Sequence, residues 1–325
     1  MKRFVTAAFA AIAVTAAGLS GAVAQEWPKA GPITIIVPFA PGAGNDLLGR
    51  LTAEYFTKRL GQQVVVENVA GGGSAIGLDR AARAKPDGYT LLWSPSDGMS
   101  VLPAVRKSVP YKVPDDFEFL ARIVHVPFVV AVHPSVPATN LAELIALSKE
   151  RPGRVRYGSS GVGGAPHMGT VLFGMRTGVR QTHIPFNGIG PALTDLIGGH
   201  TEMLWLTPTT GAPHVQAGKI RALAQTGPSR HPLYPDTPTL KEAGVNVELT
   251  VYYGMMTPKN TPAPILDRLR TEIRGMLEDP AIVKRLNELG YTPAYLGGED
   301  FKKLVVDELN TWKQVATEAN ISLAD

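Results

Sequence analysis

Three glycine-rich turns carry the residues best suited to chemistry. They are Pro41-Gly42-Ala43-Gly44-Asn45-Asp46, the run "AGGGSAIG" at 70–77, and the run "GSSGVGGAPHMG" at 158–169. Each follows an apolar, strand-like stretch and feeds a helical pattern. A helix start leaves backbone N–H groups without intrahelical partners at the positive end of the helix dipole, so such a turn is a ready anion site. Ser74, Ser159 and Ser160 add hydroxyls to the second and third turns. None of the turns has the lysine of a phosphate-binding G-x-x-x-x-G-K-[ST] loop, and Gly42-Ala43-Gly44-Asn45-Asp46-Leu47 fails the last glycine of a dinucleotide fingerprint. Gly158-Ser159-Ser160-Gly161-Val162 has valine where a nucleophile elbow needs glycine. An exported α/β hydrolase using Ser160 or Ser159 with His167 stands as the alternative from another functional class. The seven histidines form no H-x-x-x-H or H-E-x-x-H pattern, and there is no cysteine, so thiol chemistry, disulfides and Cys-ligated zinc are excluded. No metal or cofactor is expected.

The elements that position these turns alternate. Apolar strands at 33–39, 63–69 and 89–95 are separated by helical patterns at about 47–60 and 74–85, which predicts a parallel βαβαβ unit covered on both faces. The first helix has an apolar face made by Leu47, Leu48, Leu51, Ala53, Tyr55 and Phe56, with Asn45 or Asp46 as its N-cap. A second unit begins at 128–135. It continues with a helix at 140–153 capped by Thr139 or Asn140, a strand at 155–161, a helix at 167–178, a strand at 182–186, a helix at 190–200 and strands at 201–208 and 220–227. A strand at 249–256 then carries the chain back, followed by helices at about 262–278, 280–289 and 298–319. The expected organisation is a first lobe from residues 25–128 and 251–325, a second lobe from 129–250, and a hinge and cleft where the chain crosses twice. Ligands of open α/β sheets bind beyond the carboxyl ends of the strands, where all three glycine turns fall.

The first residues address the compartment. Lys2 and Arg3 precede an apolar, alanine-rich run, and Ala22-Val23-Ala24 ends it with the small-x-small pattern of a cleaved secretory signal. Residues 1–24 are therefore read as a signal peptide cut after about Ala24, and the periplasm as the destination. Without Lys2 and Arg3, 30 basic side chains remain of 32, against 28 acidic ones. That balance makes no case for nucleic acid.

The run from "ITIIVPFAPGAGNDLLGR" through "QVVVENVAGGGSAIG" to "KPDGYTLLW" resembles the opening of the periplasmic solute receptors of the tripartite tricarboxylate transporter family, the Bug receptors. "YGSSGVGGAPHM", "HIPFNGIGPALTDLIGGH", "AGKIRALAQTGPSRHPLYPDTPTLKEAG" and "TPAPILDRLRTEI" are similar to later motifs of that family in the same order. The resemblance spans essentially the whole mature chain. It implies an α/β fold of the type II periplasmic binding protein kind: two α/β lobes joined by a hinge that close, Venus-flytrap fashion, on a small organic carboxylate. It also implies delivery of that ligand to the membrane permease subunits of a tripartite tricarboxylate transporter. The receptor is expected to be a monomer and not an enzyme. Carried onto this chain, the ligand-binding residues implied are Phe39, Ala40, Gly42, Gly44, Asn45 and Asp46, with Ser74 and Ala75 beside them, and Ser159, Ser160, Gly161, Gly164 and His167 in the second lobe.

Three departures from the family pattern refine the expectation. Asn45 stands where Ser or Thr is frequent, Gly164 where serine is frequent, and Leu206 where an aspartate is common. If that aspartate faces the ligand, Leu206 leaves a site without a negative group. Trp93 and Trp205 lie at strand ends where they can line a cleft. The expected ligand is then a mono- or dicarboxylate with an apolar body that can be aromatic. On this reading Leu206→Asp weakens ligand binding and leaves the fold intact.

Overall fold

The computed structural model describes residues 27–42, 44–186 and 188–321. The signal sequence expected at 1–24 lies outside them, as does Ala43 of the first glycine turn. The chain opens with β1 (Ile33–Val37), α1 (Gly44–Leu60), β2 (Val64–Asn68), α2 (Ala75–Ala82) and β3 (Thr90–Pro95). One π turn at Asp97–Val101 leads into the short α3 (Leu102–Val105), and β4 (Phe117–Pro127) and β5 (Val129–Val132) follow, separated by Phe128 alone. Next come α4 (Leu141–Glu150), β6 (Arg156–Ser159), α5 (Ala165–Thr177), β7 (Thr182–Pro185) and α6 (Ile189–Ile197). They are followed by β8 (Met203–Leu206), α7 (Pro208–Gln216) and β9 (Arg221–Gln225). The chain closes with β10 (Thr250–Pro258), α8 (Ala263–Glu278), α9 (Pro280–Glu288), β11 (Thr292–Gly297) and α10 (Gly298–Glu318).

Two sheets result, with strand orders β11-β4-β10-β3-β1-β2 and β7-β6-β8-β5-β9. The expected parallel pairing holds for β1 with β2 and β3. Both sheets are nevertheless mixed, because β10 runs antiparallel to β3 and β4, and β5 runs antiparallel to β8 and β9. The continuous apolar run of β1 reflects cover on both faces. Ile35 and Val37 pack with Phe56 of α1 and Ile273 of α8, while Ile36 packs with Leu78 of α2 and Phe301 of α10. Each such buried side chain contributes about 1.5–3 kcal/mol relative to exposure.

The chain passes between the sheets at Phe128 and again at Leu249–Thr250. Thr226 braces both crossings: its backbone exchanges hydrogen bonds with Phe128 and Leu249, and its hydroxyl accepts from the Phe128 N–H and donates to the Leu249 carbonyl. Helix α10 ties the two cores together. Phe301 and Val305 belong to a cluster on the six-stranded sheet, whereas Trp312, Val315 and Ala316 pack with Val130, Phe173 and Trp205 of the other.

Local readings are refined in four places. Helix α1 starts at Gly44, so Asp46 lies inside the first turn rather than at the cap and folds back to accept the Gly42 N–H at 2.9 Å. Ser74 precedes α2 in the left-handed region at φ 89°. Asn140 caps α4 by accepting the Glu143 N–H, as expected, and Glu143 answers at Thr139, a reciprocal capping pair. Elements absent from the sequence reading include α7, which has Pro208 at its start and Pro213 and Gly211 within, and β11, a half-buried edge strand containing a proline. Packing overrides weak propensity in both.

Candidate functional site

One cavity of about 510 Å3 lies between the two sheets. The six-stranded side contributes Phe39 after β1, Gly73 before α2, and Asp97 and Arg106 around α3. The same side adds Tyr253 of β10 and Tyr291 just before β11. The five-stranded side contributes the loop Ser160–Gly164 and the start of α5, the Trp205 ring of β8, and Thr207 and Thr209 at the start of α7. The residue between β4 and β5, Phe128, also lines it. Several of these positions lie at the carboxyl ends of parallel strands, the place topology reserves for ligands.

Of the residues proposed from sequence, Phe39, Ser160, Gly161, Gly164 and Trp205 stand in this wall. The rest stand around or behind it. Ala40 and Gly42 are exposed on the turn after β1. Gly44 packs directly beneath the Tyr291 hydroxyl, where any Cβ would collide, so the glycine sets the place of a wall residue. The Asn45 Oδ1 is buried and finds no donor among the described residues. Asp46 is buried, and its bond to Arg50, with those from the Gly42 N–H and from Asn68 at 3.0 Å, holds its carboxyl below the usual carboxylate range. Ser74 and Ala75 are buried against the cluster beneath the cavity, with Ser74 beside Gly98. Trp93 is core, stacked on Tyr253 at 6.5 Å between ring centroids.

The second-lobe turn satisfies much of its own backbone. The Gly161 N–H donates to Ser159 Oγ, the Gly163 N–H donates to His167 Nδ1 at 3.0 Å, and the Ala165 N–H is bonded by the Asp97 carboxylate across the cleft. Ser159 is buried and lies 2.6 Å from His183 Nε2. The rings of His167 and His183 stack at 3.9 Å, and burial lowers both pKa values, that of His183 to about 4. Neutral rings therefore support this loop. The hydrolase alternative needs Ser160 or Ser159 joined to His167, and neither hydrogen bond is found among the described residues: His167 Nδ1 accepts from the Gly163 N–H, and Ser159 pairs with His183 instead.

Leu206 is fully buried in a cluster with Ala131, Leu193, Leu196 and Leu204. Strand side chains alternate between faces, so once Trp205 points to the cleft its neighbour Leu206 points away. The expectation of a site without a negative group is also corrected, because Asp97 supplies one. Burial pushes its carboxyl up to about 6 against the lowering effect of the Ala165 N–H. In sequence, "SPSDGM" reads as an ordinary helix entry; only its place after β3, beside the other strand-end turns, marks it. Arg106, Tyr253 and Tyr291 carried no signal, because the fold brings them in from distant segments.

The comparisons with known proteins agree with this geometry. Residues 48–321 match the model of the tripartite tricarboxylate transporter family receptor. The chain is 34% identical over 318 residues to Protein BugT of Bordetella pertussis, covering 96% of each. Among solved structures it is similar to R. palustris Rpa4515 with adipate, at 32% identity and a TM-score of 0.78 over 91% of this chain and 99% of that one. It is also similar to MatC (Rpa3494) from Rhodopseudomonas palustris with bound malate, at 27% identity and a TM-score of 0.72 over 88% and 99%. With two lobes, a cavity between them and this family match over most of its length, the chain belongs to the tripartite tricarboxylate transporter receptor family.

Proposed function

We propose that this chain is a periplasmic solute receptor that captures a small organic carboxylate between its lobes and delivers it to the membrane permease subunits of a tripartite tricarboxylate-type transporter. The observation that carries the reading is the single wall built from both sheets, since a ligand touching Phe39 and Tyr291 on one side and Ser160 and Trp205 on the other bridges the lobes. Contacts made only in the closed state shift the population toward closure. The lobes are assigned to residues 25–128 with 251–325 and to 129–250, with export by cleavage after about Ala24. The receptor acts as a monomer without cofactor or metal and performs no catalysis. Phe39, Phe128, Trp205 and the two tyrosines favour a ligand with an apolar body that can be aromatic. Among relatives of known structure, ligands named as adipate and malate support the carboxylate class.

A thermal-shift screen of residues 25–325 against aliphatic dicarboxylates, tricarboxylates, aromatic carboxylates and amino acids tests this. A micromolar ligand at millimolar concentration stabilises the native state by about 4 kcal/mol, which raises the melting temperature clearly. No shift from any carboxylate with a folded, ligand-free protein counts against the reading.

A further inference from the structure

Three side chains in the cavity wall each hold a buried polar atom with no hydrogen-bond partner among the described residues: Asp97 Oδ1, Arg106 Nε and Trp205 Nε1. Asp97 and Arg106 are side chains of opposite charge type on one short segment; Asp97 accepts the Ala165 N–H yet keeps Oδ1 open, and Arg106 keeps Nε open, among the described residues. A buried polar atom without a partner is costly, and an uncompensated buried charge more so. Two opposite charges left open in one cavity are what a ligand bearing both complementary charges would satisfy.

We infer that the ligand is a dipolar ion, an amino carboxylate whose ammonium group meets Asp97 and whose carboxylate meets Arg106. This rests on the receptor reading above and names the substrate class of that same cavity. Burial pushes the Asp97 carboxyl up to about 6, with only the Ala165 N–H acting to stabilise its charge, the direction expected where no cation of the protein stands beside it. Glu308 of α10, which accepts from Ser100 and Tyr252, interacts with Asp97 and is pushed up to about 7 mainly by burial. A hydroxyl would give Asp97 a hydrogen bond and leave its charge standing; an ammonium group removes both deficits. At the other end, Arg106 and the indole N–H of Trp205 offer donors only, which suits a carboxylate. The aromatic wall residues pack the body between the charges and attract the cationic end through their ring faces.

Calorimetric titration of residues 25–325 with two matched pairs tests this: phenylalanine against phenylpropanoate, and aminohexanoate against hexanoate. The pairs differ only in the ammonium group and span short and long charge separations. The expected result is that the amino member of at least one pair binds about tenfold tighter or more, a difference of about 1.4 kcal/mol. Asp97→Asn, which keeps an acceptor for the Ala165 N–H, then erases that ratio, and Arg106→Gln weakens both members. Asp97→Ser serves as a second variant, and melting of each variant without ligand separates a folding defect from a binding defect. Should acids without an ammonium group bind while no amino member does better, the dipolar ligand is overturned and the receptor reading stands. A ratio that survives both Asp97 variants overturns the role of Asp97. Failure of every carboxylate and amino carboxylate to bind overturns this inference and the receptor reading together.

Discussion

Leu206→Asp is expected to unfold the protein rather than to retune its ligand. The side chain is fully buried, β8 pairs it with Val129, and Leu193, Leu196 and Leu204 pack around it. The side chains of that cluster are all apolar and offer a carboxylate no donor, and the nearby Tyr234 hydroxyl already donates to the Pro208 carbonyl. The variant must either bury an unpaired charge or protonate far above the ordinary range, and both routes cost several kcal/mol, on the order of 4 or more. That is a large share of the ~5–15 kcal/mol by which domains are stable. Urea denaturation of the soluble fraction should show a midpoint far below that of the parent, or no folded baseline at all. A midpoint equal to the parent's would mean that residue 206 reaches solvent or the cavity, and would overturn the facing assigned to β8.

Trp205→Ala should damage stability and binding together. The indole fills the space between Phe128 at the hinge and Phe173 of α5, with ring centroids 6.4 Å from each, and Gly169 is kept free of a side chain by its edge. Truncating a buried aromatic to alanine typically costs 3–5 kcal/mol, about the range expected here. Because the same ring walls the cavity, the vacated space joins the site, and ligand affinity should fall by about tenfold or more through lost contact. Trp205→Phe should recover most of the stability and part of the affinity. Denaturation and calorimetry on both variants separate the two effects; an alanine variant with parental affinity would remove Trp205 from the binding wall.

Much of the architecture was legible because the signals were local and strong. Val/Ile runs marked β1 and β2, the apolar Leu91-Leu92-Trp93 marked β3, the apolar spacing from Leu47 to Phe56 marked α1, and the Asn140 cap marked α4. The glycine turns lie at strand ends, and Phe39, Ser160, Gly161 and Gly164 stand in the cavity wall. What stayed hidden was set by tertiary context. The antiparallel placement of β10 between β3 and β4 depends on the chain's return from the second sheet, which no window of sequence records. Helix α7 and strand β11 carry prolines that propensity alone rejects. The parity of β8 decides between Trp205 and Leu206, and only the pairing with β5 fixes it. Asp97 belongs to no motif that the sequence analysis singles out, and Tyr291 owes its place to a glycine far away at position 44. The wall is thus assembled from positions whose roles are relational.

The proposed receptor binds its carboxylate between the lobes in this cavity. The most direct test of this placement is calorimetric titration of the best ligand from the screen into the parent chain and into Ser160→Phe, whose added ring would occupy the cavity from the exposed loop before α5. The account predicts one binding site in the parent and loss of binding in the variant, with the unliganded melting temperature little changed. Equal affinity in both proteins would contradict it, because the ligand would then be binding somewhere else.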